Sequence, residues 1–430
     1  VTALNLWPLL IMLAMFALNV PVAFAMAAAA LSFFLVADGL PISLFVQKLA
    51  AATDSFPLLA VPFFILAGAI MNHAGITKRL MVLADALVGH WIGGLAQANI
   101  ILATMMGGLS ASANADAAMQ AKMLGPEMIR RGYSPAFAAA ITACSAVITP
   151  IIPPGIGLII YGFLADVSIG RLFIGGIVPG ILLCAALMIA TALISRRRGY
   201  LPSHPQRVPL ATLGRAFRDA LWALTIPVFI VVGIRYGIFT PTEAGAMTVV
   251  YALLVGFFAH GDLRLAHLPE ILLEAVLATS TVMLIICAAS SFGFYMAWEQ
   301  VPPKIATALG QLSSDPYVLL LLINLLLLGV GMLIEGTAAL ILLAPILVPL
   351  VVKAGVDPVH FGLVVVVNLT IGGVTPPVGT LMYTTSTILR VPLQRFAVEG
   401  LPLILALIAV LALITYVPAL VLWLPDLMMG

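Results

Sequence analysis

The sequence predicts an all-α polytopic membrane protein made of two inverted repeats, each with a re-entrant helical hairpin and a broken transmembrane helix. Three observations predict it. Of 430 residues, 63% are hydrophobic and 8% are charged, with a mean hydropathy of +1.19. A soluble protein carries about 25% charged residues, so this chain belongs in lipid. Long apolar segments are interrupted at Met106–Asp116 (Met-Gly-Gly-Leu-Ser-Ala-Ser-Ala-Asn-Ala-Asp) and at Thr149–Gly155 by small, polar or helix-breaking residues. Both interruptions recur 223 residues downstream, at Gly331–Ala339 and Gly372–Gly379.

Composition also excludes classes. No stretch is long and polar enough for a separate soluble domain. A net charge of +2, with Arg196–Arg198 as the main basic tract, gives no nucleic-acid footprint. Cys144, Cys184 and Cys287 sit far apart in apolar runs and read as buried free thiols. The six histidines form no ligand-spaced cluster. No Gly-x-x-x-x-Gly-Lys-Ser/Thr loop is present, so ATP is not hydrolysed by that route. The chain begins at Val1 rather than Met, which leaves room for preceding residues. Residues 4–20 lack the basic start and cleavage site of a signal peptide and read as a helix.

A bilayer core takes about 20 apolar residues per helix. Residues 4–20 and 22–37 form two such runs, joined at Leu18-Asn19-Val20-Pro21. Asp38–Phe56 reads as a more polar connector and Pro57–Asn72 as the third crossing. Ile76–Trp91 is amphipathic, with Lys78, Arg79, Asp85 and His90, and is expected at the membrane surface. The next run is too short to cross twice and too long to cross once. Leu95–Gly107 enters, Leu109–Asp116 turns and Ala117–Ile129 leaves, a hairpin over about 95–130. Such a tip is tolerated only where protein or a wet cavity surrounds it. Residues 135–166 form a crossing broken at Pro150–Gly155, and Arg171–Ser195 crosses back.

Residues 196–218 form a basic linker between the first repeat, 1–195, and the second, 219–430. There Ala220–Tyr236, Thr242–Ala259 and Ile271–Trp298 are crossings, and residues 317–352 a hairpin around Glu335-Gly336-Thr337. Residues 358–388 are broken at Gly372–Pro377, and Val398–Leu424 closes the fold. At the offset of 223, Gly108 falls on Gly331, Pro126 on Pro349, Gly132 on Gly355 and Pro135 on Pro358. Pro153-Pro154 falls on Pro376-Pro377, Phe173 on Phe396 and Pro179 on Pro402. Leu and Val matches arise by chance in such a composition; glycines and prolines in one register do not.

Five crossings per half make the halves inverted, which the positive-inside rule can orient. With the N-terminus outside, the inner side holds Lys78, Arg79, Lys122, Arg130, Arg131, Arg196, Arg197, Arg198, Arg207, Arg215, Arg218, Arg264, Arg390 and Arg395. The outer side holds only Lys48, Arg171, Arg235, Lys304 and Lys353. The first hairpin then opens inward and the second outward, their tips meeting near the midplane.

Paired breaks in the two halves of a membrane protein point to a substrate and ion site. Where a helix unwinds, its carbonyls are freed to coordinate a hard cation such as sodium. Ser110, Ser112 and Asn114 supply oxygens at one tip, facing carbonyls near Pro153 and Gly155. Gly336 and Thr337, facing Gly373, Thr375 and Gly379, supply a similar set at the other. The N-termini of the outgoing hairpin helices attract a carboxylate, so Ser112, Asn114, Glu335, Thr337 and Thr375 are also candidate substrate contacts. Each feature has a plainer reading. Small residues at 107–113 also suit close helix packing in lipid; their duplication favours a site. Asp116 reads as an acid in a first helical turn, and Glu243 beside Pro241 as structural. Glu335, an intramembrane carboxylate, is a functional candidate by default.

Ser55-Phe-Pro-Leu-Leu-Ala-Val-Pro-Phe-Phe-Ile-Leu-Ala-Gly68 resembles the large membrane (permease) subunit of TRAP (tripartite ATP-independent periplasmic) transporters. So do Gly108–Asp116, Gly132–Ala140, Ile151–Gly155 and Ser168–Phe173, and the likeness covers essentially the whole chain. One departure is Ala111, where the family commonly has Gly. The resemblance implies an elevator-type ion-transporter fold in a bacterial inner membrane; the charge distribution, with five crossings per half, places both termini on the periplasmic side. It implies coupling to two or more Na+, a small four-helix membrane partner and a periplasmic substrate-binding protein. It also implies a small organic-acid substrate, such as a C4-dicarboxylate or sialic acid. Three rivals stand beside it: a stand-alone sodium–carboxylate symporter of the same architecture, an intramembrane hydrolase using Ser110 or Ser112, and a channel. The hydrolase lacks a His or Lys base near the tip, and the channel lacks a continuous polar pore.

The charge distribution gives a direct test of topology. A reporter at Ser203 should be cytoplasmic and one at Gly355 exposed outside. Both reporting from one side would overturn the inverted arrangement.

Overall fold

The computed structural model describes residues 7–18, 20–37, 39–110, 112–301, 304 and 315–429. Among them the chain is all-helical, with nineteen helices. Seven helices are long and apolar enough to cross a membrane. The first half holds α1 (Trp7–Ala17), α2 (Val22–Val36), α3 (Ile42–Ala51), α4 (Ala60–His73) and α5 (Ile76–Val88). A hairpin follows, α6 (Gly94–Gly107) and α7 (Ala113–Arg130), then a broken helix, α8 (Pro135–Ala146) and α9 (Ile156–Leu164), and α10 (Ile169–Arg198). The second half holds α11 (Leu210–Arg235), α12 (Pro241–Leu254) and α13 (Leu268–Trp298). Its hairpin is α14 (Pro316–Gly331) and α15 (Gly336–Lys353), and its broken helix α16 (Pro358–Gly372) and α17 (Thr380–Leu389). The last helices are α18 (Leu393–Tyr416) and α19 (Ala419–Met429).

Starts and stops follow local chemistry. Ser168, Asp315 and Asp357 cap α10, α14 and α16 through side-chain acceptors. Thr240 and Glu243 form a reciprocal capping box on α12, the structural role expected of Glu243. Prolines occupy the first turn of α8, α12, α14 and α16, where no amide donor is needed. The repeat offset holds in the elements: α7 and α15 begin and end at positions 223 apart. Gly132 and Gly355 both turn with positive φ, 87° and 82°, and the Pro153–Pro154 and Pro376–Pro377 bonds are both cis.

Packing sorts the helices into two groups. α2, α3 and α4 gather around α13, and α12 packs along α4. The hairpins and broken helices form the other group, joined by α10 and α18, with α18 against α8 and α10 against α6 and α18. The halves interlock here. α9 packs on α15 and α16, while α17 packs on α7 and α8. The amphipathic α5 packs against both α6 and α11.

The structure corrects several boundaries. The predicted connector 38–56 contains α3, whose Phe45 is buried. The basic linker is helical at both ends: α10 runs on through Arg196–Arg198 and α11 begins at Leu210. The arginines suit the negative end of α10, leaving residues 199–209 as connection. The final crossing is divided, since α18 ends at Tyr416 and α19 starts at Ala419 after Pro418. The first hairpin turn is shorter than expected because Ser112 already caps α7. Residues 4–6 of the first predicted helix, Asn19 of its turn, Asp38 of the connector and Ala111 of the tip lie outside the described residues.

Close backbone approach makes some glycines irreplaceable. A Cβ at Gly176 on α10 would sit 2.1 Å from the Ile151 carbonyl oxygen in the first break. Gly176→Ala should therefore cost about 1–3 kcal/mol and lower the thermal midpoint in detergent. Gly214→Ala, with nothing within 4 Å, should leave it unchanged or slightly higher; equal midpoint losses would contradict this packing.

Candidate functional site

The first hairpin tip is shaped by small residues. Leu109 and Ser110 donate their amides to the Met106 carbonyl at 2.8 and 3.0 Å, ending α6. Ser112 then caps α7, its hydroxyl accepting from the Ala115 amide at 3.4 Å. Gly68 on α4 lets the Ser110 backbone approach, for a Cβ there would lie 3.1 Å from the Ser110 Cα.

Behind this tip lies a group of buried polar atoms. Asp116 is fully buried in the first turn of α7, and neither carboxylate oxygen has a hydrogen-bond partner among the described residues. The hydroxyls of Ser110 and Thr149 lie beside that carboxyl and make no hydrogen bond among the described residues. Asn114 Oδ1 is likewise unpartnered, as are both side-chain polar atoms of Gln120, one helical turn beyond Asp116. An unpaired buried charge is costly, so these oxygens are chemically suited to a hard cation, which takes oxygen ligands.

The second tip is built differently. Glu335 caps α15, accepting from the Ala338 amide at 3.0 Å and the Thr337 hydroxyl at 2.9 Å. The second break is tied to it, with Gly379 donating to the Met332 carbonyl at 3.0 Å. Gly372 and Gly331 are in backbone contact; a Cβ on Gly372 would lie 2.6 Å from the Gly331 Cα. Within the break, Leu381 donates to the Gly373 carbonyl at 2.8 Å and the Thr375 hydroxyl to the Ile371 carbonyl at 2.7 Å.

The tips face one cavity of about 730 Å³. Of the sequence-predicted residues, Ser110, Ser112, Asn114, Glu335, Gly336, Thr337 and Gly373 line it. Pro153, Gly155, Thr375 and Gly379 are not among its lining residues. A Cβ on Gly155 would lie 2.0 Å from the Pro150 carbonyl oxygen, so this glycine serves the turn itself. The cavity also takes in Asn72, Glu274, Thr281, Thr370 and Thr380, which carry no break signal in the sequence. Asp116 was legible only as a helix-start acid. The added signal was Gln120 four residues on, which puts two polar side chains on one face of a helix inside an apolar run.

Glu274 and Glu335 are the charged residues among those lining the cavity, and no Lys or Arg is among them. The walls therefore offer an anion helix N-termini and hydroxyls rather than guanidinium groups. The volume falls within the roughly 300–1,000 Å³ of small-molecule sites.

Residues 9–420 match the family described as Tripartite ATP-independent periplasmic transporter, DctM component. The sequence is 41% identical over 414 residues to the sialic acid TRAP transporter large permease protein of Vibrio cholerae, covering 96% of each chain. It is also 41% identical over 416 residues to the isethionate TRAP transporter permease protein of Oleidesulfovibrio alaskensis, covering 96% of this chain and 65% of that longer one. In structure it resembles the YdaH transporter of Alcanivorax borkumensis with a TM-score of 0.61, at 13% identity and 90% coverage of both chains. That last likeness concerns the fold alone.

Proposed function

Since this chain belongs to the DctM component family of the tripartite ATP-independent periplasmic transporters, and is thus a multi-pass membrane permease rather than an enzyme, we propose that it imports a small organic acid by sodium-coupled alternating access. The observation that carries the coupling is the buried, unpartnered Asp116 carboxylate beside Ser110 and Thr149, with the unpartnered Asn114 Oδ1 in the same first turn of α7. Those residues would hold one Na+, whose charge offsets that of the carboxylate. A second would sit at the Thr337 side of the cavity, among oxygens of Gly336 and Gly373, with Thr375 and Gly379 shaping the break. Pro153 and Gly155 hold the first break open in the same way.

The substrate class follows from the cavity. A C4-dicarboxylate, sialic acid or sulfonate brings negative charge to walls without Lys or Arg, so neutralisation falls on the sodium ions and on a helix N-terminus. The α7 end suits that role, because its Ser112 cap is neutral. The α15 end is already capped by a carboxylate and suits a substrate hydroxyl or amine. The relatives' names cover acids of unlike structure, a sugar acid and a sulfonate. The general acid class is therefore supported more firmly than any one member.

In this reading the two repeats, 1–195 and 219–430, are inverted and joined by the cytoplasmic segment 196–218. The cavity extends from the tips past Pro21, Asn72 and Glu274, segments that the Lys/Arg distribution assigns to the inner side, which supports reading this as an inward-facing arrangement in a bacterial inner membrane. The hairpins and broken helices, residues 95–166 and 317–388, would move as one body together with α10 and α18, which pack on them, against a scaffold of α1–α4 and α11–α13. A small four-helix membrane subunit anchors that scaffold, and a periplasmic binding protein delivers substrate.

Uptake by the reconstituted tripartite system should require an inward sodium gradient. Asp116→Asn, Asn114→Ala and Thr337→Ala should each raise the half-saturating sodium concentration, by about tenfold or more for Asp116→Asn. Full uptake driven by protons with sodium absent would sink the assignment.

The elevator has its own test. A Cβ on Gly170 of α10 would lie 2.9 Å from Ile234 Cγ2 of α11, so oxidised cysteines at 170 and 234 bridge body to scaffold and should abolish uptake. A Cβ on Gly400 would lie 3.4 Å from Ala140 Cβ, both within the body, and that pair should leave uptake intact. Normal uptake with 170 and 234 joined would favour local gating instead.

A further inference from the structure

A second cavity, of about 600 Å³, lies away from the hairpin tips. It opens between the start of α8 and the turn that joins α17 to α18, and Ser134, Arg390, Gln394, Arg395, Val398 and Glu399 are among its walls. By the positive-inside rule this is the cytoplasmic end of those helices, level with Arg130, Arg131 and Arg196–Arg198.

Charge here is unbalanced. Glu399 is ion-paired with Arg198 and accepts from the Ser134 hydroxyl at 3.5 Å, so the pocket's one carboxylate is already neutralised. Arg390 and Arg395 are exposed and enter no ion pair among the described residues. Two arginines therefore line the same cleft with no ion-pair partner among the described residues. α8 and α18 both begin at its rim, and neither N-cap, Ser134 or Pro392, makes a side-chain capping hydrogen bond. Pro135 carries no amide N–H, so the open first-turn donors at the rim are those of the residues after it on α8 and of the start of α18.

The surroundings name the kind of anion. From the cleft, α18 carries Val398, Leu401 and Leu405, 76%, 54% and 55% exposed, spaced three and four residues apart along one face. A basic pocket at the membrane surface that continues into an exposed apolar stripe fits an amphiphile with an anionic head. We propose that the cleft binds the phosphate of an anionic lipid headgroup, through Arg390 and Arg395, with the acyl chains lying against Val398, Leu401 and Leu405. Guanidinium groups match phosphate geometry through paired donors. Free phosphate shares the headgroup chemistry but has no use for the stripe. Because the cleft joins α8 of one half to α17 and α18 of the other, an occupying lipid would pin the two halves of the body together at their cytoplasmic end.

The test is retention of phosphatidylglycerol by the purified full-length protein, read by native mass spectrometry from mixed phosphatidylglycerol and phosphatidylcholine micelles. Removing each arginine should weaken retention about fivefold, so Arg390→Gln with Arg395→Gln should lose nearly all of it. Arg215→Gln, an exposed arginine outside the cleft, should retain the wild-type amount. Arg395→Gln alone carries the same test if the double variant fails to fold. Val398→Ser with Leu401→Ser should weaken lipid retention while leaving the arginines in place. Equal retention by wild type and the arginine variants would overturn the proposal. So would arginine-dependent binding of inorganic phosphate with no retained phosphatidylglycerol, which would assign the cleft to a soluble anion.

Discussion

In a bilayer, every backbone amide and carbonyl must find a partner inside the protein, and the four helix breaks are where this chain meets that constraint. Specific hydrogen bonds close both hairpin tips and the second broken helix. Ser112 and Glu335 cap the returning hairpin helices. Met106 takes the amides of Leu109 and Ser110, Gly373 those of Leu381 and Met382, and Met332 that of Gly379. Prolines at the breaks remove donors that would otherwise be stranded. The unwound backbone is thus stable only because it is surrounded, and the surrounding protein is the rest of the fold.

That requirement explains the interlock. A tip buried in its own half would need a long wall of additional helices. Here each half supplies a wall for the other, with α9 against α15 and α16 and α17 against α7 and α8. Backbones must come unusually close to do this, and the contact of Gly372 with Gly331 is one such place. Small residues at helix crossings drive association in lipid through packing, since burial of apolar surface brings little there. The cavity is the space left between two tips that cannot approach further.

Much of this was legible in the sequence. The helix periods, the breaks and the register of 223 come from composition, glycine and proline, whose effects are local. The misses have physical reasons. α3 is short and polar enough to pass as a connector, and its helix is fixed by packing on α13 rather than by hydropathy. The arginines at 196–198 looked like a linker because charge marks the membrane edge, whereas a helix continues through that edge with its last turn favouring cations. Of the predicted site residues, side chains and glycines at the tips reached the cavity. Pro153, Gly155, Thr375 and Gly379 shape the turns beneath it, a distinction that sequence spacing does not carry.

The repeat also hides a chemical inequality between the tips. At the common offset, Ser112 corresponds to Glu335, Asn114 to Thr337, Asp116 to Ala339 and Thr149 to Gly372. Each tip has one carboxylate, but in different places. In the second half it is the exposed helix cap, already satisfied by the Ala338 amide and the Thr337 hydroxyl. In the first it is buried four residues deeper with no partner among the described residues. An exposed cap is stabilised by water and by the positive end of its helix; a buried carboxylate has neither and needs a counter-charge or a proton. In the proposed cycle the strict dependence on a cation therefore falls on the first half, and the second can exchange its ligands with solvent. The two tips thus differ in what they leave open: the first holds a buried carboxylate with no partner among the described residues, the second an exposed one already satisfied by its own helix start.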